Sequence, residues 1–447
     1  MTPPAAKVLI VSASMGAGHD GVAAELARRL AAAGVRVAVV DVLALLPLRL
    51  GSALRWWYRT VMLRAPWLYA LVYRIFFVSR RASSGRARGV SPLTVVAAAG
   101  LNRVVRRLRP SLLVPVFHVA AQAAGHLRSR GRLTVPSVVV LTDFAAHRLW
   151  LHAGNDRYLC PDAATALAVT AATGRPAFRH APIVRPGFAA GGAPRRGVHA
   201  RLGLPDGDRI VLVGAGAWGV GRVVRTARAL CRPGPGDGSP ESGRYVPVVL
   251  CGRNERLRRR LTRLFAETSG TEASGTEAAR AGQAVGAKGL GDAAGAVEVG
   301  GTRSAPRPVG LALGWRDDLP GLLAAAYALV DNAAGLTCRE AFAARTPVVT
   351  CLPIPGHGRD GVLAMARAGV SVHVRRPARL LRELDRLAPG SPARAALTTR
   401  AEALFAAEPA EALLLRFARP DDAPVTVSRR PSPAAVRAAT AARCRTG

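Results

Sequence analysis

The sequence predicts a doubly wound α/β protein built from two units. Three observations predict it. Short continuous apolar runs, such as Val8 to Ser12 and Ile210 to Val213, read as strands buried on both faces. Each of these two runs is followed by a Gly-rich turn and a helical pattern, the opening of a βαβ unit. The chain has 447 residues, half of them hydrophobic, enough for two domains with separate cores.

The elements follow in order. After the strand at 8–12 come Gly16-Ala17-Gly18-His19, a helix over about 21–33 and a strand over 35–40. A helix over 93–109 and strands over 112–116, 138–141, 156–159 and 181–184 complete the first unit, residues 1–190. The Gly- and Ala-rich stretch 187–196 reads as a linker. The second unit, 197–418, has strands at 210–213, 246–251, 309–313, 328–330 and 347–350. Its helices are expected to end near Leu230 and to cover 257–265, 319–326, 337–344, 362–368 and 378–387. Residues 268–308 show neither a helical nor a strand period and read as a disordered insertion; 419–447 form a basic, Pro-rich tail.

Charge adds a functional constraint. The formal net charge is +35, and of 63 basic residues only Lys7 and Lys288 are Lys. GC-rich codon usage accounts for Arg in place of Lys. It does not account for the absence of Asp and Glu between Asp41 and Asp143, a stretch that holds sixteen Arg. That part of the chain carries a positive field suited to a polyanionic surface. Nucleic acid is one such partner, but no helix-turn-helix, zinc-finger or RNA-binding aromatic pattern supports it. The six Cys form no C-x-x-C pair, which argues against a zinc site and fits a reducing cytoplasm. No run of eighteen uncharged apolar residues is present, so a spanning helix is not expected. The N-terminus reads as a first strand, not as a signal peptide.

Residues 52–81 are apolar, aromatic and basic. Pro66 divides them into two short helices, with Leu68, Leu71, Val72 and Ile75 on one face. Trp56, Trp57 and Trp67, flanked by Arg55 and Arg59, suit an interface between lipid and water. A buried helix pair is the other reading.

Four segments carry chemistry. The Gly-rich turns at 16–19 and 214–221 place backbone amides at helix starts, where a phosphate is favoured. Neither matches a dinucleotide fingerprint or a P-loop. Asp331-Asn332-Ala333-Ala334-Gly335-Leu336-Thr337 leads into a helix with Glu340 one turn in. It reads either as a diphosphate and ribose site or as a capping box with Thr337 as N-cap. Thr142-Asp143-Phe144-Ala145-Ala146-His147 follows a strand, where ligands sit in open α/β sheets. Asp143 there is a base, a hydroxyl anchor or a helix cap.

Taken in order, these segments resemble the monogalactosyldiacylglycerol synthase and processive diacylglycerol glucosyltransferase family. The set is Gly-Ala-Gly-His at 16–19, Thr-Asp-Phe-x-x-His-x-x-Trp at 142–150, Asp156-Arg157-Tyr158 and Pro182 to Pro186. It continues with Trp218 to Gly221, Cys251 to Glu255, Leu313-Gly314-Trp315, Gly335-Leu336-Thr337-x-x-Glu340-Ala341 and Pro353 to Gly356. More distantly, the set is similar to the peptidoglycan lipid-intermediate N-acetylglucosaminyltransferase. The resemblance implies the GT-B fold, two Rossmann-like domains facing a cleft. It implies inverting transfer of a hexose from a UDP-sugar to a membrane lipid, with diacylglycerol the leading acceptor and no cofactor or active-site metal. It implies a peripheral enzyme on the cytoplasmic face of the cell membrane, with an anionic surface and no nucleic acid as partner.

The same resemblance implies roles. His19 and Asp143 are the candidate bases. Gly214, Gly216, Gly219, Gly335, Leu336 and Thr337 hold the diphosphate, Glu340 the ribose, and Trp315 and Arg316 the uracil. Asn254 and Asp360 also fall in the donor set, and Gly18 and His147 on the acceptor side. Besides Ala215 in the Gly214-Ala215-Gly216 loop, where a second Gly is often found, the chain departs from the family's pattern in two places. Ala333-Ala334-Gly335 stands where Pro-Gly-Gly is usual, and His357-Gly358-Arg359-Asp360-Gly361 stands where Gln-Glu-x-Glu-Asn is usual. A methyl at Ala334 opposes a positive φ, and the second change removes groups that bond sugar hydroxyls. The rival functions are a glycosyltransferase with a polyprenyl or secondary-metabolite acceptor, and a catalytically degenerate homologue.

Overall fold

The computed structural model describes residues 7–78, 91–189, 197–231, 243–284 and 308–418. The tail 419–447 and residues 190–196, the greater part of the 187–196 linker, lie outside them.

The N-terminal unit runs β1 (Lys7–Ser12), α1 (Ala17–Ala32), β2 (Arg36–Asp41), α2 (Leu50–Arg64), α3 (Pro66–Tyr73) and α4 (Pro92–Leu108). It continues with β3 (Leu112–Pro115), α5 (His118–Ser129), β4 (Val138–Val140), β5 (Arg157–Cys160), α6 (Ala163–Thr173) and β6 (Ala177–Arg179). The strand order is β2-β1-β3 and β4-β5-β6, every pair parallel. A parallel bridge between Leu113 and Ser137 joins the two halves. Apolar side chains fill both faces of β1, and helices cover them, as the unbroken run Val8 to Val11 requires. Pro66 is the first residue of α3, a position where its missing N–H costs nothing.

The second unit runs α7 (Val198–Leu202), β7 (Arg209–Gly214), α8 (Val223–Leu230), β8 (Tyr245–Leu250), α9 (Glu255–Ala284) and β9 (Leu311–Leu313). Then come α10 (Leu319–Ala325), β10 (Ala328–Asp331), α11 (Leu336–Ala343), β11 (Val348–Cys351), α12 (His357–Arg367) and β12 (Val372–Val374). The chain ends with α13 (Leu380–Arg386), α14 (Pro392–Glu402) and α15 (Ala410–Phe417). The six strands form one parallel sheet, β12-β11-β10-β7-β8-β9.

Three differences from the sequence reading have physical causes. No strand forms at 181–184; β6 lies at 177–179 instead. The apolar run at 181–184 is buried because α15 packs back on it, with the Ala181 N–H donating to the Glu408 carbonyl at 3.0 Å. This return is the second difference. Ala410, Leu413, Leu414 and Phe417 join Val8, Ile10 and Leu26 in the first unit's core, so the last helix of the expected 197–418 unit sits on the other unit. Third, α9 continues through Ala284, into the segment read as lacking a period. Ala and Glu there are strong helix formers. Residues 285–307 lie outside the described residues.

Candidate functional site

The two units enclose a cleft of about 1670 Å³. It lies beyond the carboxyl ends of β1, β3, β4, β7 and β10, where the strands hand over to helices. The units touch across it. The Arg339 guanidinium donates to the Thr142 carbonyl, and a side chain at Gly21 would meet Leu336 at 2.7 Å.

On the first unit, His19 sits in the first turn of α1. Its Nδ1 lies 2.9 Å from Thr142 Oγ1, and its ring stands edge-on to Phe117 at 5.0 Å. Burial lowers its pKa, and the Asp143 charge opposes the shift. The imidazole is therefore neutral at pH 7. Asp143 accepts from the Trp150 indole N–H at 2.9 Å and lies 3.8 Å from His147 Nε2. Burial works against its charge, but His19, His147 and His357 outweigh it and keep the carboxyl below its usual range. His147 is pushed down to about 4 by burial. It stacks edge-on with Phe77 and His118. Gly18 also lines the cleft.

On the second unit, Gly214, Gly216, Trp315, Arg316, Gly335, Leu336, Thr337 and Glu340 all line the same cleft. Helix α11 is capped by Gly335 with no side-chain hydrogen bond. The capping-box reading of Thr337 and Glu340 therefore does not hold. Glu340 is buried and aimed at the cleft, with Arg185 4.0 Å away. Burial raises its pKa to about 7, and Arg185 opposes the rise. Trp315 is 48% exposed, with the Arg253 guanidinium 4.9 Å over its ring. Arg316 is held by Asp318 at 2.7 and 2.6 Å.

Three expected donor residues stand elsewhere. Asn254 does not line the cleft; its Nδ2 donates to the Trp218 and Gly219 carbonyls, and its Oδ1 caps the start of α9. It fixes the loop's shape rather than touching a ligand. Gly219 is the residue against which Asn254 packs, at 2.7 Å from where a Cβ would sit. Asp360 does not line the cleft; it accepts a 2.8 Å hydrogen bond from the Tyr73 hydroxyl.

That bond belongs to an arrangement the sequence reading missed. Tyr69 and Tyr73, one turn apart on α3, contact the start of α12. The Tyr69 hydroxyl meets His357 Nδ1 at 2.8 Å. Gly356, at φ +74°, leaves room for both rings; a Cβ there would lie 2.8 Å from Tyr73 and 2.9 Å from Tyr69. The i, i+4 spacing of the tyrosines was the available signal. The opposite face of α2 and α3 is open. Trp56 is 68% and Trp67 69% exposed, and Leu71 and Ile75 are exposed as well, whereas Phe76 lines the cleft. Trp57 is partly exposed and lines the cleft mouth. Arg59 is exposed and Arg55 half-buried. The hairpin is thus half core and half surface, between the two readings made from the sequence.

The departures in sequence also meet in space. Ala334 adopts φ +56° despite its methyl. A Cβ at Gly361 would lie 2.9 Å from the Ala334 Cβ. The glycine at 361 makes the room that the alanine at 334 takes.

Comparison with known proteins agrees with this architecture. Residues 19–173 match the family model for monogalactosyldiacylglycerol (MGDG) synthase. The processive diacylglycerol beta-glucosyltransferase of Bacillus cereus (strain B4264) is 24% identical over 390 residues, covering 83% of this chain and 82% of that protein. The protein of that name from Bacillus thuringiensis (strain Al Hakam) is 24% identical over 392 residues, with the same shares. Among solved structures, the glycosyltransferase SnogD from Streptomyces nogalater superimposes with a TM-score of 0.52 at 15% identity, over 93% of this chain and 100% of that one. The spinosyn rhamnosyltransferase SpnG gives 0.52 at 14%, over 92% and 99%. Both likenesses are of fold, and the expected GT-B architecture is borne out. The chain is a glycosyltransferase of GT-B fold, similar to the monogalactosyldiacylglycerol synthase and processive diacylglycerol glucosyltransferase family.

Proposed function

We propose that the chain transfers a hexose from a UDP-sugar to the hydroxyl of diacylglycerol, with inversion, on an anionic membrane surface. One observation carries this reading. A single cleft joins Glu340 and the amides of two Gly-rich helix starts to His19 and Asp143, with an aromatic, basic hairpin at its mouth. The names of the relatives supply the acceptor class. Among the described residues no helix is long and apolar enough to cross a membrane, so the hairpin is the element assigned to contact lipid.

In this mechanism Glu340 accepts from the ribose hydroxyls, and the diphosphate lies between the 214–218 loop and the start of α11. Charge developing on the leaving UDP meets backbone amides and the positive end of α11, and no step is routed through a metal. The acceptor oxygen attacks C1 from the face opposite UDP. Its proton passes to neutral His19, and Asp143 stabilises the imidazolium that forms. The C1–O bond to UDP breaks with its electron pair, and the anomeric centre inverts.

The test is UDP release from UDP-glucose, UDP-galactose, UDP-N-acetylglucosamine and UDP-glucuronate, with and without diacylglycerol in anionic liposomes. Diacylglycerol-dependent release from one donor supports the proposal and names the sugar. UDP binding without release points to a polyprenyl or other acceptor. Neither binding nor release sinks the enzymatic reading in favour of a degenerate homologue. His19→Ala and Asp143→Asn should each lower turnover by about 10²–10⁴-fold; full activity in either removes that residue from the mechanism.

A further inference from the structure

We propose that the α2–α3 hairpin is a two-sided coupling element, which transmits contact with an anionic lipid surface to the nucleotide site through a tyrosine latch on α12. The inference rests on the function proposed above and adds a linkage between its two binding events.

The inner side is a latch between units. Tyr69 and Tyr73 bond to His357 and Asp360, 288 and 287 residues away in sequence. Val61, Met62, Tyr69 and Tyr73 form one buried cluster with Ile354. Burial raises the pKa of both phenols, so they remain protonated at pH 7. The latch reaches the donor loops directly. Tyr58 lies against Trp218 with ring centroids 5.7 Å apart, and Trp218 lines the cleft between Gly216 and Val220. Val220 and Ala333 pack on the same cluster, one from each Gly-rich helix start.

The outer side is chemically different. Trp56, Trp67, Leu71 and Ile75 are exposed and do not line the cleft. Arg59, Arg64 and Arg74 are exposed among them, and no acidic residue occurs between Asp41 and Asp143. Aromatic and aliphatic side chains ringed by Arg, without a carboxylate, fit the headgroup boundary of an anionic bilayer. The charge complementarity commits the surface to lipid rather than to a second copy of this basic chain.

The two sides share helices of eight and fifteen residues. Short helices depend on tertiary contacts for their stability. Seating the outer side on lipid therefore stabilises the latched arrangement, and the latch holds the donor loops. By linkage, nucleotide in the cleft strengthens lipid binding by the same factor.

The experiment measures UDP affinity by calorimetry in buffer and with vesicles of phosphatidylcholine and phosphatidylglycerol. Wild type should bind UDP on the order of tenfold more tightly with vesicles. Tyr69→Phe/Tyr73→Phe keeps both rings, should still co-sediment with vesicles, and should lose most of that gain. Trp56→Ser/Trp67→Ser should keep wild-type UDP affinity in buffer and lose both vesicle binding and the gain. Equal UDP affinity with and without vesicles, in wild type that co-sediments, overturns the coupling and leaves the proposed function standing. An undiminished gain in the double Phe variant overturns the latch. Absence of UDP binding in every condition overturns the proposed function and the coupling together.

Discussion

Gly361→Ala tests whether the two departures from the family's pattern are physically one change. Position 361 lies inside α12, where replacing Gly by Ala gains about 1 kcal/mol of helix propensity. Against that, the new Cβ would stand 2.9 Å from the Ala334 Cβ, which is itself buried. Overpacking of this kind costs about 1–3 kcal/mol. The single variant should therefore be neutral to about 2 kcal/mol less stable. Ala334→Gly releases a left-handed alanine at φ +56°, worth about 1–2 kcal/mol. It also gives up a buried methyl worth about 0.8 kcal/mol and loosens the unfolded chain, so it should be near neutral. In the double variant the clash is gone, and the helix gain of Gly361→Ala should appear in full. Urea denaturation of the four proteins gives a coupling energy equal to the clash, about 1–3 kcal/mol. Additivity within about 0.5 kcal/mol would refute the argument that the two positions share one space.

Other expectations concern the site and its supports. The fold favours protonated Glu340, whose pKa is raised from 4.5 to about 7. Stability should thus fall as pH rises from about 4.5 toward about 7, and Glu340→Gln should flatten that slope in denaturation midpoints. UDP, which needs the carboxylate as acceptor, should bind more tightly as pH rises through about 7, and the same variant should abolish that dependence in calorimetry. Gly356→Ala would drive a Cβ into the rings of Tyr69 and Tyr73 and strain φ +74°. It should lower the urea midpoint, by about 1–3 kcal/mol in stability, and weaken UDP binding. Leu414→Ala removes a fully buried side chain of α15 from the N-terminal core. It should cost about 2–5 kcal/mol, whereas a cost under 0.5 kcal/mol would mean that α15 does not dock there.

The sheets were legible because buried parallel strands announce themselves as unbroken apolar runs, and β1, β3, β4, β7 and β8 do so. The run at 181–184 misled for the same reason: its burial comes from α15, more than 200 residues later. The positions of His19, Asp143 and Glu340 were legible because a Gly-rich turn or a strand end fixes where such residues point. Asp360 and Asn254 were legible as residue types but not as contacts. Asp360 is claimed by Tyr73 of the other unit, and Asn254 by carbonyls of the neighbouring loop. No local rule reveals a partner supplied by the tertiary fold. The positive φ of Ala334 was likewise invisible, because its tolerance depends on a missing side chain at 361.

The return of α15 has a mechanical consequence. The chain passes between units twice, once between Ile183 and Phe188 and again between Leu404 and Ala410, since each pair has one member in either core. The two crossings lie side by side, tied by the Ala181–Glu408 hydrogen bond. Arg29 clamps both, donating to the Val184 carbonyl at 2.6 Å and pairing with Glu411 at 3.4 Å. Two bodies on one tether can twist and slide freely. Two bodies on a pair of adjacent tethers keep chiefly a rotation about the line through them, like a door on its hinge. Any parting of the cleft's lips would follow that arc and bring His19 and Glu340 back to one register.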